Sequence, residues 1–412
     1  GFHDHSLPHN PHKDFLKKIL LADVPVAYHT KSGVNGFHVA AQLGNLRVLD
    51  NIISTGVSAK TIISRGKIDP RRRTKDGLSA LHFAALSDKD DPRIIEKVLE
   101  AMLLTTMPPQ GRELALPEAL SVLTRSQRNV AQIVLQRAES GLNVLGYCAL
   151  SGNRRMMLYL LRGMGCNNSS AEAENTENKE KEVDNANGIA VAKYSLEMNV
   201  TCDGSLQRLQ HIVCYNADPD TLETLLAHGL VLTGVLDADG KNVYHHLAGS
   251  WRASATERLS RTFKILRREC KGGGISSSSS GSGGEDPIRA RTIAEGQTAL
   301  HLACSAGATA VAKMLLEVGG GFGGSVTDRD LSGATPVMLL LKHRFKARKQ
   351  MELLSQILSS LPSRQTWWDD HLCGRTGQSL ATKACEWRNM VALRIVLDTE
   401  GAGGVDSIDR AG

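Results

Sequence analysis

The chain has 412 residues, 41% of them hydrophobic and 22% charged, which is ample for a sizeable core. Aromatics are only 4%, as expected where Leu, Ala and Val fill a thin helical stack. No run of eighteen apolar residues exists, so no membrane-spanning helix is indicated, and the net charge of +6 is too small to demand a nucleic-acid partner.

Residues 1–30 read as an N-terminal tail with a lead-in helix. The tail carries His3, His5, His9 and His12, but no Cys or carboxylate constellation completes a metal shell, so a solvated tail is expected. From residue 31 onward one motif recurs. Seven glycines are each followed two residues later by Asn, Ser or Thr: Gly33/Asn35, Gly77/Ser79, Gly141/Asn143, Gly240/Asn242, Gly296/Thr298, Gly333/Thr335 and Gly377/Ser379. Four have a histidine five residues after the glycine, at His38, His82, His245 and His301. Glycine permits a turn with positive φ, and the polar residue is of the type that caps a helix N-terminus. An apolar helical stretch follows each pair. The segment from Gly296 to Gly307 shows this, with a second helix over Ala308 to Glu317 and a stop at Gly319.

The chain-order reading is therefore as follows. Residues 31–165 hold repeated helix pairs, with an inserted helix in 104–140 running from Pro117 to Ala138 on a stripe of Leu120, Leu123, Val130, Ile133 and Val134. Residues 166–199 form a polar insertion, rich in Asn, Glu and Lys and expected to be disordered. Helix pairs resume over 200–270. A Gly/Ser-rich flexible insertion occupies 271–290, of a kind that suggests a eukaryotic genome tolerant of loop expansion. Helix pairs continue over 291–412. The chain opens on Gly1 and ends on Asp409-Arg-Ala-Gly412, which reads like the start of another unit. A fragment or processed form is expected, from which an amino-terminal targeting signal would be missing.

These units resemble the ankyrin repeat. Ser79-Ala-Leu-His82 and Thr298-Ala-Leu-His301 look like its Thr-Pro-Leu-His signature, and Thr335-Pro-Val-Met338 keeps the Thr-Pro. Alignment on the histidine gives eight units, centred on His38, His82, Gly146, His211, His245, His301, Met338 and Thr382. A small residue follows three places later in seven of them (Ala41, Ala85, Ala149, Cys214, Ala248, Cys304 and Cys385), with Leu341 the exception. The histidine positions lie 34 to 65 residues apart, against a family period of about 33, so insertions are the rule. The resemblance implies an all-α ankyrin-repeat solenoid of about eight irregular repeats. It implies that the repeat histidines hydrogen-bond backbone and tie adjacent units together. It also implies protein partners held by inner helices and hairpin tips.

No nucleophile elbow, phosphate loop, zinc-protease helix or kinase signature occurs, so neither an enzyme nor a cofactor or metal site is expected. Gly319–Gly324 lacks the Lys-Ser/Thr that a phosphate loop needs, and Asp369, Asp370, His371 and Cys373 read as a loop. Of the eight cysteines, those at small-residue positions are expected to be buried free thiols, in an intracellular reducing compartment, cytoplasmic, nuclear or organellar. Candidate partner-binding residues are two basic clusters, Arg71, Arg72, Arg73 and Lys75 in one and Lys342, Arg344, Lys346, Arg348 and Lys349 in the other, together with the adjacent pair Trp367 and Trp368. A third basic run spans Arg261 to Lys271. The basic clusters suit RNA phosphates or an acidic protein surface. The expected function is a non-enzymatic protein–protein interaction scaffold. The alternatives are a structural subunit of a large assembly, such as a ribonucleoprotein, and the regulatory region of a longer enzyme.

Overall fold

The computed structural model of the protein describes residues 30–56, 69–104, 124–166, 179–250, 255–272, 286–318, 326–342, 348–359 and 380–400. These residues form eighteen helices and no β-strand. The helices are α1 (Gly36–Gln42), α2 (Leu46–Gly56), α3 (Ala80–Ala85), α4 (Pro92–Leu104), α5 (Arg125–Val134), α6 (Val144–Ser151), α7 (Arg154–Gly163), α8 (Lys179–Glu197) and α9 (Leu209–Tyr215). They continue as α10 (Pro219–Ala227), α11 (Val243–Ala248), α12 (Thr256–Gly272), α13 (Ala299–Ala306), α14 (Thr309–Val318), α15 (Pro336–Leu341), α16 (Arg348–Ser359), α17 (Leu380–Glu386) and α18 (Met390–Glu400). The chain divides into two compact units. The first comprises Gly1–Gly204 with Thr224–Leu230, and the second Ser205–Glu223 with Val231–Gly412.

In the first unit the short helices α1, α3 and α6 pack in series, and α2, α4 and α7 form a second rank behind them. In the second unit α9, α11, α13, α15 and α17 form one rank, and α12, α14, α16 and α18 the other. The short helices are six to eight residues long, too short to be stable in isolation, and are held by packing. Small side chains make that packing close. Ala40, Ala41, Ala84, Ala85, Ala149, Cys214, Ala248, Ala303 and Cys304 are all buried, so neighbouring helices approach without a bulky residue between them. Burial pushes the thiols of Cys148 and Cys214 well up, and that of Cys304 to about 12, which leaves them inert.

The three asparagines of the motif and Thr335 cap their short helices as their type suggests, whereas the hydroxyls of Ser79 and Thr298 bond to Nδ1 of His82 and His301. The side chain of Asn35 accepts the backbone N–H of His38 at 3.1 Å, that of Asn143 accepts Gly146 at 3.2 Å, and that of Asn242 accepts Tyr244 and His245. In the second rank Asp90 accepts the N–H groups of Arg155 and Met156 at the start of α7. Asn153 donates to the carbonyls of Ala85 and Ser87. A helix start is thus satisfied from the preceding pair.

Three sequence expectations are corrected. Residues 166–199 are not a disordered insertion throughout, because 179–197 form helix α8. Its buried face runs through Gly188, Val191, Ala192, Ser195 and Leu196 at helical spacing. Small and polar residues make up much of that stripe, so apolar periodicity did not reveal it. The inserted helix of 104–140 is shorter than Pro117 to Ala138. Among the described residues it is α5, opened by Thr124, whose hydroxyl accepts the N–H of Gln127 while the Gln127 side chain accepts that of Thr124. Ala138 belongs to the next turn, and Leu120 and Leu123 lie outside the described residues. Finally, Cys385 is exposed, and Ala384 beside it is the buried small residue. No further helix pair stands against Cys385 among the described residues.

Candidate functional site

Between the helix pairs the chain makes tight hairpin turns built on one plan. The opening residue donates to a carbonyl four residues on: Thr30 to Val34, Thr74 to Leu78, Ala138 to Leu142, Asp237 to Lys241 and Asp330 to Ala334, with Thr292 reaching Gln297 across one extra residue. The turn glycines Gly33, Gly77, Gly141, Gly240, Gly296 and Gly333 all have positive φ. Successive hairpins are then joined backbone to backbone at 2.9–3.0 Å. In the first unit Lys75 donates to Ser32, Glu139 to Asp76 and Cys202 to Ser140. In the second unit Ala238 donates to Ser205, Ile293 to Asp239 and Leu331 to Glu295.

At the tips the donating residues carry exposed side chains, Lys75, Glu139 and Cys202 in the first unit and Ala238, Ile293 and Leu331 in the second, beside exposed neighbours such as Asp76, Ser140, Asp239 and Ser332. Ile293 is 73% exposed and Leu331 67% exposed, among the most exposed large hydrophobic side chains described. Ile293 lies over Gly240, where an added Cβ would stand 2.6 Å from its Cγ1, and Leu331 lies over Gly296 in the same way at 2.9 Å. The two occupy equivalent rungs of adjacent hairpins. Sequence reasoning missed both. The available signal was an apolar residue inside a turn, two residues before Gly333 and three before Gly296, where other units carry Lys31, Lys75 or Glu139.

The first basic cluster is split by the structure into two roles. Arg71 donates from Nε to the carbonyl of Met102 at 2.9 Å, and Arg73 donates from Nη2 to the carbonyl of Arg137. Arg291 repeats the second arrangement, donating to the carbonyl of Arg329. Arg73 and Arg291 thus staple neighbouring turns, and Arg71 ties its turn to α4. Partial burial lowers the pKa of Arg71 and Arg73 from the ordinary value, though both remain cations. Arg73 is exposed even so, as are Arg72 and Lys75, whose side chains make no such bond, and Lys31 joins them from the preceding hairpin. Together with Arg73 they line a shallow cleft of about 540 Å³ between the first two described turns.

The other predicted sites are not brought together. Lys342 is exposed at the end of α15, and Arg348 and Lys349 begin α16. Arg344, Lys346, Trp367 and Trp368 lie outside the described residues. The run from Arg261 lies on α12, where Arg261 pairs with Asp220 at 2.7 Å and Arg268 with Glu269 at 2.9 Å.

The repeat histidines are built into the frame. Nδ1 of His38, His82, His211, His245 and His301 accepts the N–H of Asn35, Ser79, Arg208, Asn242 and Thr298 at 3.1–3.2 Å. The proton is thereby assigned to Nε2, which donates forward to the carbonyls of Arg72, Val235, Gln297 and Ala334 from His38, His211, His245 and His301. His82 differs, because its buried Nε2 makes no hydrogen bond of ordinary geometry, though the Gln136 backbone lies close enough to act on the ring. Burial holds these imidazoles below the usual histidine range, to about 4 for His38, His211 and His245 and to about 3 for His82.

Two positions depart from the plan. Gly146 stands where five other units have histidine, and Asn199, just beyond α8, fills the gap. Its side-chain oxygen accepts the N–H of Asn143 at 2.9 Å, the bond that a histidine makes elsewhere. His246 instead pairs through Nε2 with Asp237 at 2.9 Å, both side chains 2% exposed, and its ring stacks on His211 at 4.6 Å. Burial works against the charged Asp237 carboxylate, but His246 and the turn N–H groups of Lys241 and Asp239 outweigh it and hold the pKa below the ordinary value. The pair clamps a turn to a helix.

Among the described residues there is no group of three or more His, Cys, Asp or Glu side chains able to hold a metal, and no helix is long and apolar enough to cross a membrane. Residues 295–330 match the model of the ankyrin repeat family. That segment runs from the hairpin glycine Gly296 through α13 and α14 to Asp330, the first residue of the next turn. No curated protein matches the chain.

Proposed function

We propose that the protein is a non-enzymatic interaction scaffold, an irregular ankyrin solenoid of about eight units that binds other proteins along its hairpin edge. The observation that carries this reading is the pair Ile293 and Leu331. Each is a large aliphatic side chain held out at a hairpin tip by a backbone rung, and full burial of such a side chain contributes about 1.5–3 kcal/mol. Neither contributes much to its own fold, so a partner surface is what their placement favours. The repeat histidines support the non-enzymatic reading, since burial and backbone bonds occupy the imidazoles that chemistry would need.

The test is sedimentation of the native protein from cell extract beside an Ile293→Asp/Leu331→Asp variant. The wild type is expected in a particle heavier than the free chain and unaffected by ribonuclease, with the variant shifted towards free chain. Identical migration of the two would remove the hairpin tips from the reading. Collapse of the particle by ribonuclease would favour a ribonucleoprotein subunit instead.

A further inference from the structure

We infer that the cleft between the first two described hairpins is a docking site for an acidic peptide segment of a partner protein. This rests on the reading of the array as protein-binding, but at a different place and with a different chemistry from the apolar tips. Four cations line the cleft: Lys31, Arg72, Arg73 and Lys75. Arg73 is fixed by its bond to the Arg137 carbonyl, and behind it Arg71 is fixed by the Met102 carbonyl. Lys31, Arg72 and Lys75 are exposed and make no ion pair among the described residues. The nearby carboxylate Asp69 is engaged by the backbone N–H of Arg71. Within the described residues 69–75 there are four Lys or Arg and one acid. The backbone under the cleft is rigid. The carbonyl of Arg72 takes the His38 Nε2 proton, and the N–H of Lys75 is bonded to Ser32. The cations therefore sit on a preorganised ledge rather than on a floppy loop.

The shape of the charge selects between acidic protein and nucleic acid. Along the hairpin edge the positive stretch stops at once. Asp76 follows Lys75, and Glu139 occupies the next rung, both exposed. A nucleic-acid backbone running along the edge would meet those carboxylates. A short acidic segment seated across the cleft would not. The cleft also has no aromatic lining, so no platform for stacking bases is present.

The experiment is fluorescence anisotropy of the full chain with a labelled Glu/Ser peptide, a Gln/Ser control peptide and a single-stranded RNA of similar length. Saturable binding of the Glu/Ser peptide, weakened by added salt and absent for the control, is expected. Arg72→Glu/Lys75→Glu should weaken it about tenfold or more, from two exposed charges each changing its interaction by about 1 kcal/mol. Arg258→Glu on α12 should leave it unchanged. If the charge reversals perturb folding by circular dichroism, Lys31→Gln/Lys75→Gln gives the same test in milder form. No saturable binding of the acidic peptide, or equal loss in Arg258→Glu, overturns the inference and leaves the apolar-tip reading standing. Tighter binding of RNA than of peptide, lost in the same variants, overturns it in favour of nucleic acid.

Discussion

At the scale of single residues, the unit around Gly146 shows how an array keeps its geometry when a signature residue is missing. In the five units that keep the signature histidine, the N–H of the helix-capping residue is met by that histidine. Here it is met by Asn199, from a separate helix inserted between two helix pairs. The exchange requires glycine: a Cβ at position 146 would lie 2.3 Å from the Asn199 side-chain oxygen. Asn199 also donates to the carbonyls of Ser195 and Leu196, and Asn143 donates to Ser195, so the site is a closed buried network. Gly146→Ala is expected to expel Asn199 and leave the Asn143 N–H unpaired, lowering stability by about 1–3 kcal/mol in urea unfolding. Asn199→Ala should cost a similar amount, and the double variant clearly less than the sum, because both break one network. Strict additivity would show that the two residues act separately.

At the scale of elements, what the sequence revealed and what it hid follow from one cause. Hairpins with a Gly and a capping residue at fixed offset were legible, because φ > 0 and an unpaired helix N-terminus each demand a narrow set of residue types. The segment Gly296 to Gly307 folds as it reads. Helix α8 was not legible, because its buried stripe interleaves Val191 and Leu196 with Gly188, Ala192 and Ser195, whose size rather than apolarity suits a close approach. The candidate site was half legible. Basic composition picked out residues 71–75, but only the structure separates Arg71 and Arg73, which bond to carbonyls, from Arg72 and Lys75, which do not. Ile293 and Leu331 were hidden inside turns, where an apolar residue gives no periodicity. The hairpin ladder makes its own prediction. Gly240 has φ +75° and lies under Ile293, with an added Cβ 3.1 Å from the Ile293 nitrogen. Gly240→Ala should therefore strain the turn and press on the rung to Asp239, lowering stability by about 1–3 kcal/mol and speeding amide exchange at Ile293. An unchanged exchange rate there would argue against the rung.

For the whole molecule, the recurrence of buried histidine sets a common acid response. The first unit holds His38, His82 and His228, and the second His211, His245 and His301. Burial is the leading cause that lowers the pKa of all six from the ordinary value of 6.5. In the unfolded chain each takes up a proton as pH falls through about 6.5, whereas in the folded chain the four with the largest shifts stay neutral to about 4 or 3. Protons then favour unfolding. Stability is at its full value above about pH 6.5 and falls as pH drops, at up to about 1.4 kcal/mol per pH unit for each histidine in the window. Asp237 acts in the same sense but lower down. Its depressed carboxyl pKa contributes stability that is complete above the ordinary carboxylate value and is lost only as pH falls through the lower folded one. The loss between about pH 6.5 and 4 therefore belongs to the histidines. Two of these histidines in each unit stay neutral through this window, so a change of one pH unit removes up to about 3 kcal/mol from each unit, a large part of the roughly 5–15 kcal/mol that holds a domain folded. Urea unfolding followed by circular dichroism at stepped pH should show a steep fall in midpoint below about pH 6. Both units should be affected over the same range, since each carries two histidines held neutral to about pH 4 or below. A midpoint that stays level from about pH 7 to 5 would mean that the imidazoles are protonated in the folded array, and that the backbone bonds drawn from Nδ1 are wrongly assigned.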